Sequence, residues 1–285
     1  MQKQQIIDFR LRPPLYGYLN LLIWSDAGLE QFASVQGIEP AETARKRSME
    51  MLLAEMDDCG ITAGVMNGRQ CGGVRGEVSN EDLARIMKEY PGRFHALAGT
   101  NPLRGKGNLA EAEHFLRDGG FKGLSLEPGL YDQAMYADDE RLFPYYELCE
   151  KYNCPAVLTI GPMNGPDLSY TDPLQVDRAA ARYPNVKIVV AHGCWPFAAE
   201  LAGVVARRKN VYMMPDLYLF GLPGETDYLR ALKVFAGSKF LFASAFPCRP
   251  IPMTVSQYRD LQLSDDLFKR VTYDNAAHLL GLAAP

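Results

Sequence analysis

Apolar residues in this chain fall into two kinds of cluster. Short runs such as Ile61 to Met66, Phe94 to Gly99, Pro155 to Ile160 and Val186 to Ala191 are nearly continuous. Runs of that length, bounded by turn residues, read as strands buried on both faces, as in a parallel sheet. Between them, apolar residues recur every three or four positions. Met49, Leu52, Leu53 and Met56 form one such stripe, and Leu83, Ile86, Met87 and Tyr90 another. That spacing puts each set on one helical face.

In chain order the predicted strands begin at Ile6, Ile61, Phe94, Phe121, Pro155, Val186, Asn210 and Lys239, the last running to Ala243. Helices are predicted over 42–59, after an N-cap at Asn80, and near 108–118, 139–152, 173–182, 196–208, 226–236, 252–261 and 264–280. Residues 15–40, carrying Tyr16, Tyr18, Trp24 and Phe32, read as one long loop. Such a loop is a lid over a site or a packed excursion at a subunit contact, which leaves a homodimer open. Eight alternating units predict an α/β fold, a (β/α)8 TIM barrel, as a single domain over residues 1–285.

Composition adds exclusions. The 285 residues are 47% hydrophobic with a formal net charge of -4, which gives no basic footprint for nucleic acid. No apolar run reaches the length of a membrane span, and with no long apolar h-region near the first residues no secretory signal is expected. The six cysteines form no Cys-x-x-Cys pair, so they read as free thiols in a reducing compartment, and the cytoplasm is expected. Cys194 reads better as a small core hydrophobe than as a nucleophile.

In a parallel barrel the chemistry sits where the strands end. Those ends carry Asp8, Arg10, Arg12, Asn67, Asn101, Glu127, His192, Asp216 and Ser244. His192 follows a buried strand and precedes a glycine; its side chain can take and give a proton near neutral pH. Glu127 and Asp216 are acid–base candidates beside it. Arg10 and Arg12 can hold a carboxylate through paired hydrogen bonds, with Asp8 and Asn67 as further substrate contacts. Internal ion pairs among these same residues are the competing explanation. His95, His114 and His278 look structural.

Four motifs carry a resemblance: Ile7-Asp8 with Pro14, Ala191-His192-Gly193, Phe242-Ala243-Ser244-Ala245-Phe246-Pro247, and Asn275-Ala276-Ala277-His278-Leu279-Leu280. In order and spacing they resemble the amidohydrolase-related family, which includes aminocarboxymuconate-semialdehyde decarboxylase, other decarboxylases, hydrolases, lactonases and hydratases. That resemblance implies zinc ligands where this chain has Arg10, Arg12, Gly161 and Ala245. It implies a proton-transfer histidine at His192, which is kept. Arginine stays protonated and cannot ligate zinc. The expectation is therefore an enzyme without a metal or other cofactor, a relocated divalent site from Glu127, His192 and Asp216 being the alternative. Its substrate would be a small carboxylate, aromatic or unsaturated, and its reaction hydrolysis, with decarboxylation or hydration as rivals. A catalytically inactive barrel that binds a metabolite or a protein is the reading from another class.

Overall fold

The computed structural model describes residues 4–282. Among them, seven short strands form one sheet in chain order: β1 (Ile6–Asp8), β2 (Ile61–Asn67), β3 (Phe94–Gly99), β4 (Leu124–Leu126), β5 (Ala156–Thr159), β6 (Ile188–Ala191) and β7 (Val211–Met214). Every neighbouring pair is parallel. The sheet curls because parallel strands twist, and side chains fill its interior. Ile7, Val65, Leu97, Val157, Val189 and Leu241 belong to that inner apolar cluster, all at most 1% exposed.

The predicted eighth strand closes the ring without a regular ladder. The Leu241 amide donates to the Met213 carbonyl at 3.0 Å, and the Phe9 amide donates to the Phe242 carbonyl at 3.0 Å. The segment is thus tied to β7 on one side and to the continuation of β1 on the other. Two further amides of this stretch are used elsewhere. Phe242 donates to the Val271 carbonyl in the π-helical turn Arg270–Asp274, and Ser244 donates to the Asp8 carboxylate. A strand whose N–H groups are claimed by a helix and a side chain cannot also pair fully with its neighbours.

The helices are α1 (Asp26–Val35), α2 (Glu42–Lys46), α3 (Met49–Cys59), α4 (Asn80–Glu89), α5 (Gly105–Arg117) and α6 (Phe143–Lys151). They continue as α7 (Leu174–Arg182), α8 (Ala198–Arg207), α9 (Glu225–Ala231), α10 (Ile251–Asp260), α11 (Asp265–Lys269) and α12 (Asn275–Leu279). Three expectations are corrected. The stretch expected as one loop holds α1, whose N-cap Ser25 accepts from the Gly28 amide. The helix expected over 42–59 is broken at Arg47, which takes φ +49, and restarts at Ser48, whose side chain caps Met51. The cap of α4 is Ser79, which accepts from Asp82; the Asn80 side chain instead holds the Gly99 backbone. Among the described residues no helix is long and apolar enough to cross a membrane.

Candidate active site

The residues predicted from strand ends meet at one mouth, and local backbone explains how. After β6 the chain turns through His192, Gly193 and Cys194, with φ of +65, +59 and +55. Left-handed backbone is costly for residues with a Cβ, roughly 1–2 kcal/mol each, and persists where the surroundings impose it. The turn swings His192 across the barrel mouth against Gly161, which follows β5. A Cβ on Gly161 would lie 2.9 Å from the His192 Cβ, so the absent side chain at 161 is what admits the imidazole.

Asp216 follows β7, also at positive φ, and meets His192 directly. The two are bonded between Nδ1 and Oδ1 at 2.9 Å, and the His192 amide donates to Oδ2 at 3.3 Å. Because a carboxylate accepts at Nδ1, the proton lies there and Nε2 is left with a free lone pair. Burial holds the His192 pKa below the usual 6.5; Asp216 pulls it up and Arg10 pushes it down. The imidazole is therefore neutral at neutral pH, lower than the near-neutral titration its residue type alone would suggest. Burial disfavours the Asp216 charge, but His192, Arg10 and the Leu217 amide outweigh it and keep the carboxyl ionised. Tyr218 packs edge-on to His192 at 5.3 Å and stacks on Trp195, fixing the ring.

Arg10 is fully buried. Its Nη2 donates to Thr159 Oγ1 at 3.2 Å, and its Nε lies 3.5 Å from Asp216 Oδ2, too far for a good hydrogen bond. Its Nε and Nη1 have no hydrogen-bond partner. Burial and the neighbouring Arg12 cation push its pKa down to about 10. Arg12 lines the cavity and is 4% exposed. Asp8 points elsewhere: it accepts from the amide and hydroxyl of Ser244 and from the Arg10 amide. Burial raises its pKa to about 6 despite those bonds. Asn67 is buried, and its amide nitrogen and oxygen both lack partners. Neither Asp8 nor Asn67 lines the cavity. Asn101 caps the turn that follows it and donates to the Gln70 carbonyl, a structural task.

Glu127 is held by Arg69 in a bidentate pair, with contacts of 2.6, 2.9 and 3.1 Å. Burial raises its pKa, but Arg69, Arg10 and Arg12 together bring it below the usual value. Arg69, Arg75, Thr159 and Tyr218 also line the cavity, and sequence reasoning did not single them out. Thr159 was the most accessible of them, as a polar residue closing an otherwise apolar strand.

The cavity itself is about 50 Å³. At 10–15 Å³ per water it has room for about three to five waters. Leu22, Ile23 and Phe32, from the segment that includes α1, form its apolar wall.

The fold and site define a parallel barrel with a bonded His192–Asp216 pair and several guanidinium groups at its C-terminal mouth. Residues 29–282 match the family model described as Amidohydrolase, and the chain belongs to the amidohydrolase family. A TIM-barrel protein from Bordetella bronchiseptica is 36% identical over 97% of this chain and 98% of its own, with a TM-score of 0.91. 2,6-Dihydroxybenzoate decarboxylase from Rhizobium is 16% identical over 98% and 99% of the two chains, at TM-score 0.70. 5-Carboxyvanillate decarboxylase from Novosphingobium aromaticivorans, solved with manganese and a nitrobenzoic acid, is 19% identical over 99% and 97%, at TM-score 0.66. At those two identities the likeness is one of fold.

Among the described residues no group of three His, Cys, Asp or Glu side chains could hold a metal ion. The carboxylates at the mouth are already engaged, Glu127 with Arg69 and Asp216 with His192. Arg10 and Arg12 add fixed positive charge where the family resemblance implies ligands. This donor set does not fit a divalent cation.

Proposed function

We propose that this chain is an acid–base enzyme acting on a small carboxylated substrate, with hydrolysis as its reaction. The observation that carries the reading is the His192–Asp216 pair beside under-bonded guanidinium groups. Asp216 orients His192, and Nε2 takes a proton from water as the water attacks. Arg10 and Arg12 anchor the substrate carboxylate, and the free Nη1 of Arg10 supplies a donor that the protein leaves unused. Asp8 supports the first anchor by accepting from the Arg10 amide, and Asn67 we assign as a spare polar group near the mouth, both of its side-chain atoms being unpartnered. Glu127 we assign to positioning Arg69, since both of its oxygens are engaged there. No metal or other cofactor takes part in this scheme.

The likeness to aromatic-acid decarboxylases favours a second reading, decarboxylation, with His192 protonating carbon. Electrostatics weigh against it. A carboxylate paired with guanidinium ions is stabilised in its ground state, which opposes loss of carbon dioxide. An inactive binding barrel would not need the strained turn at His192. The setting we infer is cytoplasmic, supported by Cys71, Cys149, Cys154, Cys194 and Cys248, which are buried and in no disulfide.

The test is turnover of a panel of carboxylated lactones, esters and benzoic acids with a chelator present throughout. His192→Ala should lower kcat by roughly 10²–10⁴-fold with the fold retained. The rate should fall as pH drops through a pKa below the usual histidine value, since only neutral His192 accepts the proton. Activity lost to the chelator and restored by a divalent ion would overturn the scheme.

A further inference from the structure

We propose that the ligand of this mouth is a dicarboxylate, one end held by Arg10 and Arg12 and the other by Arg75. The inference rests on the carboxylate-site reading above and goes beyond it by counting charges. Three guanidinium groups line the cavity, Arg12, Arg69 and Arg75, and a fourth, Arg10, is fully buried and outside its lining. Glu127 is matched to Arg69, while Asp216 lies beside Arg10 and Asp8 accepts from the Arg10 amide, so these three carboxylates belong to Arg69 and Arg10. His192 is neutral and adds no charge. Arg12 and Arg75 remain, and among the described residues neither guanidinium meets a carboxylate. Arg12 makes no side-chain hydrogen bond there at all. Arg75 makes one, from Nη2 to the Met163 carbonyl at 2.8 Å.

Uncompensated charge beside a cavity is costly to keep, and an anion relieves it. A monoanion would leave one of the two guanidinium groups unmatched, whereas a dianion matches both. Placement agrees with the count. Arg12 follows β1, and its amide donates to Phe246 of the closing segment. Arg75 sits in the turn Gly73–Arg75 after β2 and reaches to the loop after β5. The two cations thus approach the cavity from separate strand ends, and both line it. Burial and the Arg69 cation press the Arg75 pKa down, as expected where positive charge is in excess.

The experiment is isothermal titration of the full chain with four dicarboxylates, malonate to adipate. Each is compared with the monocarboxylate of equal length, propanoate to hexanoate. At least one dicarboxylate should bind about tenfold or more tightly than its match, the worth of one charge-assisted contact. Arg75→Gln should collapse that ratio toward one, and Arg75→Lys should restore part of it. Arg12→Gln should weaken both series. If monocarboxylates bind and no dicarboxylate exceeds its match, the dianion inference fails while the carboxylate reading stands. A ratio unchanged in folded Arg75→Gln removes Arg75 from the site. If neither series binds, the carboxylate reading itself is overturned.

Discussion

Arg69 and Arg10 are both buried guanidinium groups at the same end of one barrel, yet their surroundings are opposite. Arg69 faces both oxygens of Glu127 and is a completed pair. Arg10 has one hydrogen bond, to Thr159, a long contact with Asp216 and two nitrogens without partners. The pKa shifts follow the contrast: Glu127 outweighs burial and raises Arg69, whereas burial and Arg12 lower Arg10 to about 10. Burial alone therefore does not distinguish a structural charge from a functional one. The informative quantity is how much of the buried group's bonding capacity the protein itself uses.

The largest effect should come from breaking the closed pair. Glu127→Ala leaves Arg69 buried and uncompensated, which should cost roughly 3–5 kcal/mol of unfolding free energy. Chemical denaturation of the variant checks it. A loss below about 1 kcal/mol would show that solvent reaches Arg69 and that the pair is not closed.

The open side predicts the reverse balance. Arg10→Met removes a charge that the fold does not fully match, so stability should change little. Binding of the dicarboxylate probes should weaken by roughly 2–4 kcal/mol, the range for a desolvated charged contact. Unchanged binding together with a large stability loss would move Arg10 into the same class as Arg69.

Asp8 tests the contrast from the acid side. It has three donors, yet burial still raises its pKa from 3.8 to about 6. The folded state then binds this proton more tightly than the unfolded state. Its contribution to stability should be largest below the unfolded value and decline as pH rises from about 4 to about 6. Asp8→Asn keeps an acceptor for the Ser244 amide and cannot ionise. It should remove on the order of 1–3 kcal/mol of pH-dependent change in that window. Identical wild-type and variant curves would show that donors, not burial, decide the Asp8 charge.

How much of this was legible from the residues differs between fold and site. Buried parallel strands announce themselves as continuous apolar runs, and seven of the eight took ladder positions. The eighth did not, because its amides are spent on Val271 and Asp8, and no local pattern reveals that. Helix α1 did not stand out although Ser25-Asp26 is a cap signal, because Tyr16, Tyr18 and Trp24 before it follow no helical period. His192 and Asp216 were visible as strand-end polar residues, and they bond to each other. Glu127 was equally visible, but its pairing with Arg69 is a contact across 58 positions, which sequence spacing cannot supply. Arg75 stands in a glycine-rich turn, where a cation ordinarily reads as solvated surface.

The smallest effect tests the same idea without charge. Asn67 ends β2, is 3% exposed, and neither its amide nitrogen nor its oxygen has a partner. Its backbone carbonyl already accepts from the Tyr18 hydroxyl, so the side chain is not needed to hold the strand end. An unpaired buried amide costs stability, and an apolar residue of similar size removes that cost. Asn67→Leu should therefore leave the ligand-free protein unchanged or more stable by about 1 kcal/mol, read from its denaturation midpoint. If Asn67 supports the carboxylate anchors, the same variant should bind the dicarboxylate probes more weakly. A gain in stability with a loss in binding would place Asn67 with Arg10 among the groups kept under-bonded for a ligand. A loss above about 1 kcal/mol would show that the amide is satisfied by buried water and belongs with the closed structural contacts.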